Sequence, residues 1–377
     1  MRNISVYCLL LLSVVFTGCS KKIVTTNTPL SKIYSWTQFS MGADLSYATQ
    51  MLDKGVVYKD AGVTKDIFTI FKDHGCNTVR LKLWHTPKAY TSTWGGNDQE
   101  YNDLPKVEML IKKAKDLGMA VNLDLHYSDT WADPQRQEIP AAWKGLTLDV
   151  MKDSVYQYTM NVLNELKKKN LVPEMIQVGN ETNIGVLWPV GQVVNNDYSS
   201  FAKFLNAGIK AVRDFSVTST VKPKIILHVA QLQHAVSWTK GITEAGVTDF
   251  DIIGLSHYAD WSTMNTMPEI TALVSKLRTT YNKKVMLVEI GYWFDAKEAN
   301  GYVIKQTPVD GYPFTIEGQY KYLKDVTQAV INGGGSGVQY WAPDYMGTGG
   351  EMTVRSLVDA NGNVLPGINF MNFPYKF

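Results

Sequence analysis

The feature that most narrows the fold of this chain is a repeat. Eight short β-rich apolar runs are each followed by a longer stretch with helical spacing or by a long loop. The runs lie near residues 39–46, 77–83, 119–125, 175–179, 224–229, 251–256, 284–290 and 337–342. Between them, segments such as VTKDIFTIFKDHG, LPKVEMLIKKAKDLG and VMKDSVYQYTMNVLNELKKKN place apolar residues three and four apart, the spacing of a helix that covers a sheet with one face. Eight β-then-α units without a break in composition are what a (β/α)8 barrel requires, and 377 residues exceed the roughly 250 that such a barrel uses. A doubly wound open sheet is the alternative, but it normally carries a Gly-rich phosphate turn after its first strand, and FSMGADLS leads into none. The expected fold is therefore α/β, a single (β/α)8 TIM barrel whose extended βα loops form an open substrate cleft.

The segment ahead of the barrel has a different character. MRNISVYCLLLLSVVFTGCSKK has one early Arg, an apolar run and small residues around a cysteine, the pattern of an export signal. Its apolar run is shorter than the roughly 20 residues of a membrane span, which argues against an uncleaved anchor. FTGCS, residues 16–20, resembles the bacterial lipobox, which implies that Cys19 becomes the lipid-bearing first residue of the mature chain. The expected organisation is a lipoprotein signal peptide over 1–18, a lipidated polar tether over 19–35 and the catalytic barrel over 36–377. With Cys8 in the signal and Cys19 lipidated, Cys76 stands alone and reads as a small buried hydrophobe. A net charge of +2, spread evenly, argues against a phosphate-binding surface, so nucleic acid is not expected as a partner.

In a barrel of this kind the interior is packed and chemistry sits at the carboxyl ends of the strands. Those ends are rich in polar and aromatic groups. The first run ends in Asp44, the second carries Arg80 and continues to Trp84 and His85, and the third gives Asp124 and His126. The fourth ends in Asn180 and Glu181, the fifth offers His228, the sixth His257 and Tyr258, the seventh Glu289 and the eighth Trp341. Strands four and seven face each other across an eight-stranded barrel, so Glu181 and Glu289 would flank a central cavity. A retaining glycosidase needs two such carboxyl groups about 5 to 5.5 Å apart, one as nucleophile and one as acid and then base. The bland reading of either Glu is a buried ion pair with a barrel Lys or Arg. Arg80 and the neighbouring polar groups are expected to keep Glu289 ionised by charge and hydrogen bonding, while Glu181, beside that charge, would hold its proton to higher pH. Asn180 suits a hydrogen bond to a sugar 2-hydroxyl. Ten tryptophans, among them Trp84, Trp131, Trp188, Trp261, Trp293 and Trp341 in predicted loops, offer flat faces for sugar rings. His126, His228 and His257 form no local metal-ligand motif, so no catalytic metal is expected.

The motifs GADLSY (42–47), NTVRLKLWHTP (77–87), LDLHYSDTWADPQRQEIPAAW (123–143), QVGNETN (177–183), HYADW (257–261), VEIGYW (288–293) and DANGNVLPGINFM (359–371) together resemble glycoside hydrolase family 53, the endo-β-1,4-galactanases. The resemblance runs from about Phe39 to the C-terminus. It implies a retaining (β/α)8 enzyme with Glu181 as acid/base and Glu289 as nucleophile, acting on internal bonds of β-1,4-galactan in pectic arabinogalactan. Asp44, Arg80, Trp84, His126, Asp129, Trp131, Asn180, His257, Tyr258, Trp293 and Trp341 are the expected substrate-binding residues. Two positions depart from the family pattern: Lys82 stands where Arg is usual, and His257 lies among residues that are usually small or aromatic. Both keep hydrogen-bonding capacity. The resemblance also raises a structural calcium ion near Asp295, Glu298, Asp310, Asp344 and Glu351, with no ligand set assigned; the chemistry itself calls for no cofactor.

The alternatives are another retaining glycanase on the same barrel, such as a mannanase or xylanase, and a non-catalytic glycan-binding surface lipoprotein. The second would be marked by loss of a carboxylate, and both are present. The expected partners are the galactan polymer and, through the lipid alone, a membrane; the protein is expected to be a monomer. A polymer too large to cross a membrane places the enzyme in the bacterial cell envelope, on the outer membrane and at the cell surface.

Overall fold

A computed structural model describes residues 34–87, 100–297, 301, 303–347 and 351–377, with backbone alone at 351 and 352. The expected signal peptide, the lipidation site Cys19 and the tether up to residue 33 lie outside the described residues. Among the described residues no helix is long and apolar enough to cross a membrane.

The repeat closes into a barrel. Its strands are β1 (Ser40–Asp44), β2 (Thr78–Leu83), β3 (Ala120–Leu125), β4 (Met175–Val178), β5 (Lys224–Ala230), β6 (Ile252–Tyr258), β7 (Lys284–Gly291) and β8 (Gly337–Tyr340). Neighbours in sequence pair in parallel, and β8 pairs with β1 to close the ring. The sequence-derived ends agree with these to within a residue or two. Between β1 and β2 lie α1 (Ala48–Asp53) and α2 (Ile67–Asp73). The later crossovers are α3 (Leu104–Asp116), α4 (Leu148–Lys168), α5 (Ser199–Thr218), α6 (Ala235–Glu244), α7 (Met267–Tyr281) and α8 (Ile316–Asn332).

Local chemistry starts these helices where the chain leaves the barrel rim. Asp66 and Asp103 accept hydrogen bonds from the Phe68 and Lys106 amides, and Thr315 accepts one from the Gly318 amide. Thr266 and Glu269 form a reciprocal capping box at α7, with Pro268 in the first turn.

Strand residues alternate between two cores. On β2, Val79, Leu81 and Leu83 join the large apolar layer between barrel and helices. Inside the barrel, Ala120, Met175, Ile226, Ile252, Met286 and Val288 form a second, smaller core. Tyr34 and Trp36 pack against that inner core, and Lys284, the first residue of β7, donates to the Trp36 carbonyl. The barrel is thus plugged at its amino-terminal foot, and its polar groups gather at the opposite mouth.

Two backbone features shape that mouth. The β6–β7 register slips between Leu255 and Ser256, so that Leu255 faces Leu287 and Ser256 faces Glu289. Val288 is the extra residue of this bulge. Val288 points into the barrel, so strict alternation would turn Glu289 outward; the bulge brings it inward as well. In addition, Tyr127, Glu181, Gln231 and Ala342, each just beyond a barrel strand, adopt left-handed φ angles of 51°, 45°, 64° and 49°. Such backbone is unfavourable for residues with a Cβ and concentrates where a scaffold must aim side chains.

Candidate active site

The site is built around Arg80, which rises from β2 into the barrel mouth. Its Nη1 meets Asp44 Oδ2 at 2.7 Å, and its Nη2 meets Asp124 Oδ2 at 2.7 Å and Glu289 Oε1 at 2.9 Å. Nη2 also donates to Asn180 Oδ1 at 2.8 Å. One buried guanidinium therefore balances three carboxylates, at the bidentate-style distances where charge-assisted bonds are strong. Glu289 takes a second bond through Oε2, from the Tyr258 hydroxyl at 2.7 Å.

At the end of β4 the chain turns through Gly179, whose φ of 84° favours glycine and whose added Cβ would sit 2.8 Å from Thr182 Cγ2. Asn180 and Glu181 follow. Asn180 is held by Arg80 and by its own bond to the Ala132 carbonyl at 2.8 Å. The Glu181 Oε1 accepts from Ser256 Oγ at 2.6 Å. An oxygen of Glu181, an oxygen of Glu289 and a nitrogen of His228 all lie within 4.8 Å of one another. This is the short carboxyl separation of a double displacement; inversion needs about 6.5 Å or more to admit a water.

Both carboxyl groups are pushed above the ordinary carboxylate range. For Glu181 the causes are burial and then the charge of Glu289, and the rise is large. For Glu289 burial also raises the pKa, against the pull of Arg80 and the Tyr258 hydroxyl. Arg80 and a polar neighbour, Tyr258, do pull the Glu289 pKa down as expected, but desolvation outweighs them in direction. Arg80 and the Tyr258 hydroxyl both bond Glu289, whereas Glu181 is met by the neutral Ser256 hydroxyl, so the proton of the pair belongs on Glu181.

Other expected residues occupy distinct places. Trp131 and Trp341 are half-buried at the mouth with ring centres 6.3 Å apart, and Tyr258 packs on Trp341 at 6.2 Å. Trp261 is 60% exposed on the rim. It lines, with Asp133, Arg136, Glu181, Asn183 and Gln231, a cavity of about 410 Å³ beside Glu181.

Six of the expected substrate-binding residues are buried behind this surface, as Arg80 is. Asp44 is buried by its bonds to Arg80 and Ser46. Trp84 donates through Nε1 to His126 Nδ1 at 3.1 Å, and His126 donates through Nε2 to Asp124 at 2.9 Å, so both brace the Arg80 network. Asp129 staples its loop by accepting from the Thr86 and Ala141 amides. His257 is fully buried and bonds Tyr322 on α8, because its neighbour Tyr258 takes the inward position on β6. Trp293 is 1% exposed, covered by the Arg355 guanidinium at 4.1 Å, which Asp260 holds at 2.8 Å.

Lys82 stands at the same mouth. Among the described residues its ammonium has no hydrogen-bond partner; it sits 3.8 Å from the Tyr47 ring centre and 4.8 Å from that of Trp131. Gln177 and Ser256 went unrecognised as site residues, and His228 was noted without a role. Their signal was present in the period of two along β4, β5 and β6, which places Gln177, His228, Ser256 and Tyr258 on the inner face.

Metal ligation was weighed on two sets of residues. The trio Glu181, His228 and Glu289 has ligand atoms close enough for a cation. Yet the His228 ring nitrogens already meet Ser256 Oγ at 2.9 Å and the Gln177 amide and Glu181 N–H at 3.1 and 3.2 Å, so the imidazole is committed to hydrogen bonding. Of the calcium candidates, Glu298 and the Glu351 side chain lie outside the described residues. Asp295 and Asp310 are exposed, and Asp344 is buried near Lys82; the described residues do not gather into a calcium site.

Comparison with known proteins gives the same constellation a lineage. The model of glycosyl hydrolase family 53 matches residues 40–371. The arabinogalactan endo-β-1,4-galactanase of Cellvibrio japonicus is 37% identical over 358 residues, 90% of this chain and 92% of that protein. The endo-β-1,4-galactanase of Bacillus subtilis is 33% identical, covering 84% of this chain and 72% of its own length. Among solved structures, the family 53 catalytic domain of Ignisphaera aggregans superposes with a TM-score of 0.80 at 31% identity, over 90% of this chain and 97% of that one. A family match spanning the whole barrel, and relatives more than 30% identical over 72% or more of their own length, establish that this chain belongs to glycosyl hydrolase family 53.

Proposed function

We propose that the protein hydrolyses internal β-1,4-galactosidic bonds of galactan and type I arabinogalactan, with retention of anomeric configuration. The carrying observation is the pair of carboxyl groups whose oxygens lie within 4.8 Å across the barrel mouth. The relatives named as galactanases supply the substrate class.

Chemistry follows from the two environments. Glu289, oriented by Arg80 and Tyr258, attacks the anomeric carbon while the glycosidic oxygen leaves with the proton of Glu181; a covalent glycosyl-enzyme forms. Glu181, now a carboxylate, takes a proton from water, whose oxygen displaces Glu289 and regenerates both groups. The two inversions give net retention. Asn180, fixed by Arg80 and Ala132, is placed for the 2-hydroxyl, and Trp131 and Trp341 offer apolar ring faces. The sequence needs two carboxyl groups and water, and no cofactor.

Removal of each carboxylate separates the roles. Glu289→Ala is expected to abolish turnover of galactan and of an aryl oligogalactoside alike, and azide should give an α-configured adduct. Glu181→Ala is expected to keep glycosylation by the aryl substrate, whose leaving group needs little protonation, and azide should restore turnover with a β-configured product. Exchange of the two anomeric outcomes, read by proton NMR of the products, would reverse the assignment.

We further infer that Cys19 carries a lipid, and that the monomeric enzyme is held at the outer face of the cell envelope. The support is the apolar run ending in FTGCS and the polar stretch that follows it. A substrate too large to cross a membrane fits that placement.

A further inference from the structure

We propose that His228 and Ser256 are positioning residues that keep the acidic proton of Glu181 on the oxygen facing the cleft, an inference that rests on the acid/base reading of Glu181. A carboxylic acid has two oxygens, and only one can serve the leaving group. Ser256 Oγ lies 2.6 Å from Glu181 Oε1. If the serine donates there, Oε1 is an acceptor and the acid proton must reside on Oε2. If the serine accepts, the proton sits on Oε1, locked away from substrate.

His228 decides which. Its Nε2 is 2.9 Å from Ser256 Oγ. Its Nδ1 lies 3.2 Å from the Glu181 backbone N–H and 3.1 Å from the Gln177 amide nitrogen, both donors. A ring nitrogen facing two donors is an acceptor, so the hydrogen belongs on Nε2. The opposite tautomer would donate from Nδ1 to Asn180 Oδ1 at 2.9 Å. That oxygen already accepts from Arg80 Nη2 at 2.8 Å, and with a hydrogen on Nδ1 the Glu181 backbone N–H and the Gln177 amide would both face a donor instead of an acceptor. Burial, with the nearby Arg80 and His126, also keeps the imidazole neutral, so it carries one hydrogen.

The bonds therefore run one way around a loop. The Glu181 amide donates to His228, His228 to Ser256, and Ser256 to the Glu181 carboxyl. The same residue stands at both ends, so the backbone that positions Glu181 also orients its proton. The loop persists when Glu181 becomes a base, since Ser256 then stabilises the carboxylate. The other charged or titratable groups around Glu181 are Glu289 from β7, Asp133 from the loop after β3, Arg80 from β2 and Tyr258 from β6; none of them bonds Oε1.

The test compares the pH dependence of kcat/KM on galactan and on an aryl oligogalactoside for the full chain and its variants. Ser256→Ala is expected to lose about 10-fold on galactan and little on the aryl substrate. Its basic limb should move up by about one pH unit, the effect of removing one donor from a carboxylate. Ser256→Thr, which keeps the hydroxyl, should restore the limb. Equal losses on both substrates with an unmoved limb would mean that Ser256 merely packs, and would overturn the proposal. Nitrogen-15 NMR of the His228 ring in the unaltered protein is independent of folding defects: hydrogen on Nε2 is expected, and hydrogen on Nδ1 would overturn the relay. Glu181→Gln distinguishes this from failure of the underlying reading, because galactan turnover surviving in that variant would remove Glu181 as the acid.

Discussion

Tyr258 shows how a single hydroxyl is set against desolvation. Its bond to Glu289 at 2.7 Å opposes the burial that raises the nucleophile's pKa. Tyr258→Phe removes that opposition, so Glu289 should protonate at higher pH. The acid limb of kcat/KM is expected to move up by about one unit, as loss of one bond to a charged group implies, while the basic limb set by Glu181 shifts less. An acid limb that stayed or moved down would contradict the geometry. Asp344 carries a different consequence. Its carboxyl oxygens are buried with no hydrogen-bond partner among the described residues, and desolvation pushes its pKa up to about 8. Because the folded state then holds a proton that the unfolded chain releases near pH 4, stability falls as pH rises from about 4 to 8. Asp344→Asn cannot lose that proton. Its stability relative to the unaltered protein should climb across this window by up to about 1.4 kcal/mol per pH unit and level off above it, as denaturant unfolding would measure.

At the scale of elements, strands and helices were legible because two periods, two and about 3.6, alternate through the sequence. The caps at Asp66, Asp103 and Thr266 that start three of the helices came only with the structure. The strand ends gave Glu181 and Asn180. What could not be read was the aim of individual side chains. His257 and Tyr258 looked equivalent until the strand was seen to run through both, which forces one outward. The inward turn of Glu289 depends on a slip against β6, a relation between chains of residues about thirty apart. Trp293 looked like a sugar platform because Arg355, which covers it, arrives from sixty positions later. Gly179 was visible as a residue but not as a hinge. Its φ of 84° and the nearby Thr182 methyl leave no room for a Cβ. Gly179→Ala is expected to lower kcat by 10-fold or more through displacement of Asn180 and Glu181, and to cost about 1 kcal/mol or more in stability. Activity and melting temperature both unchanged would show that the turn tolerates a side chain.

For the whole molecule, the relation between the two ends of the barrel matters most. Polar groups crowd the mouth, while Tyr34 and Trp36 close the foot, where the described chain begins. Cys19→Ser should release the protein from the membrane fraction with its activity in solution intact, and retention of the variant there would refute the anchor. The foot plug then gives the enzyme a heading. The described chain therefore enters the barrel on the side away from the cleft. A barrel entered from below leaves the rim around Glu181 and Trp261 clear of the incoming chain, so a long polymer can lie across the mouth without meeting it.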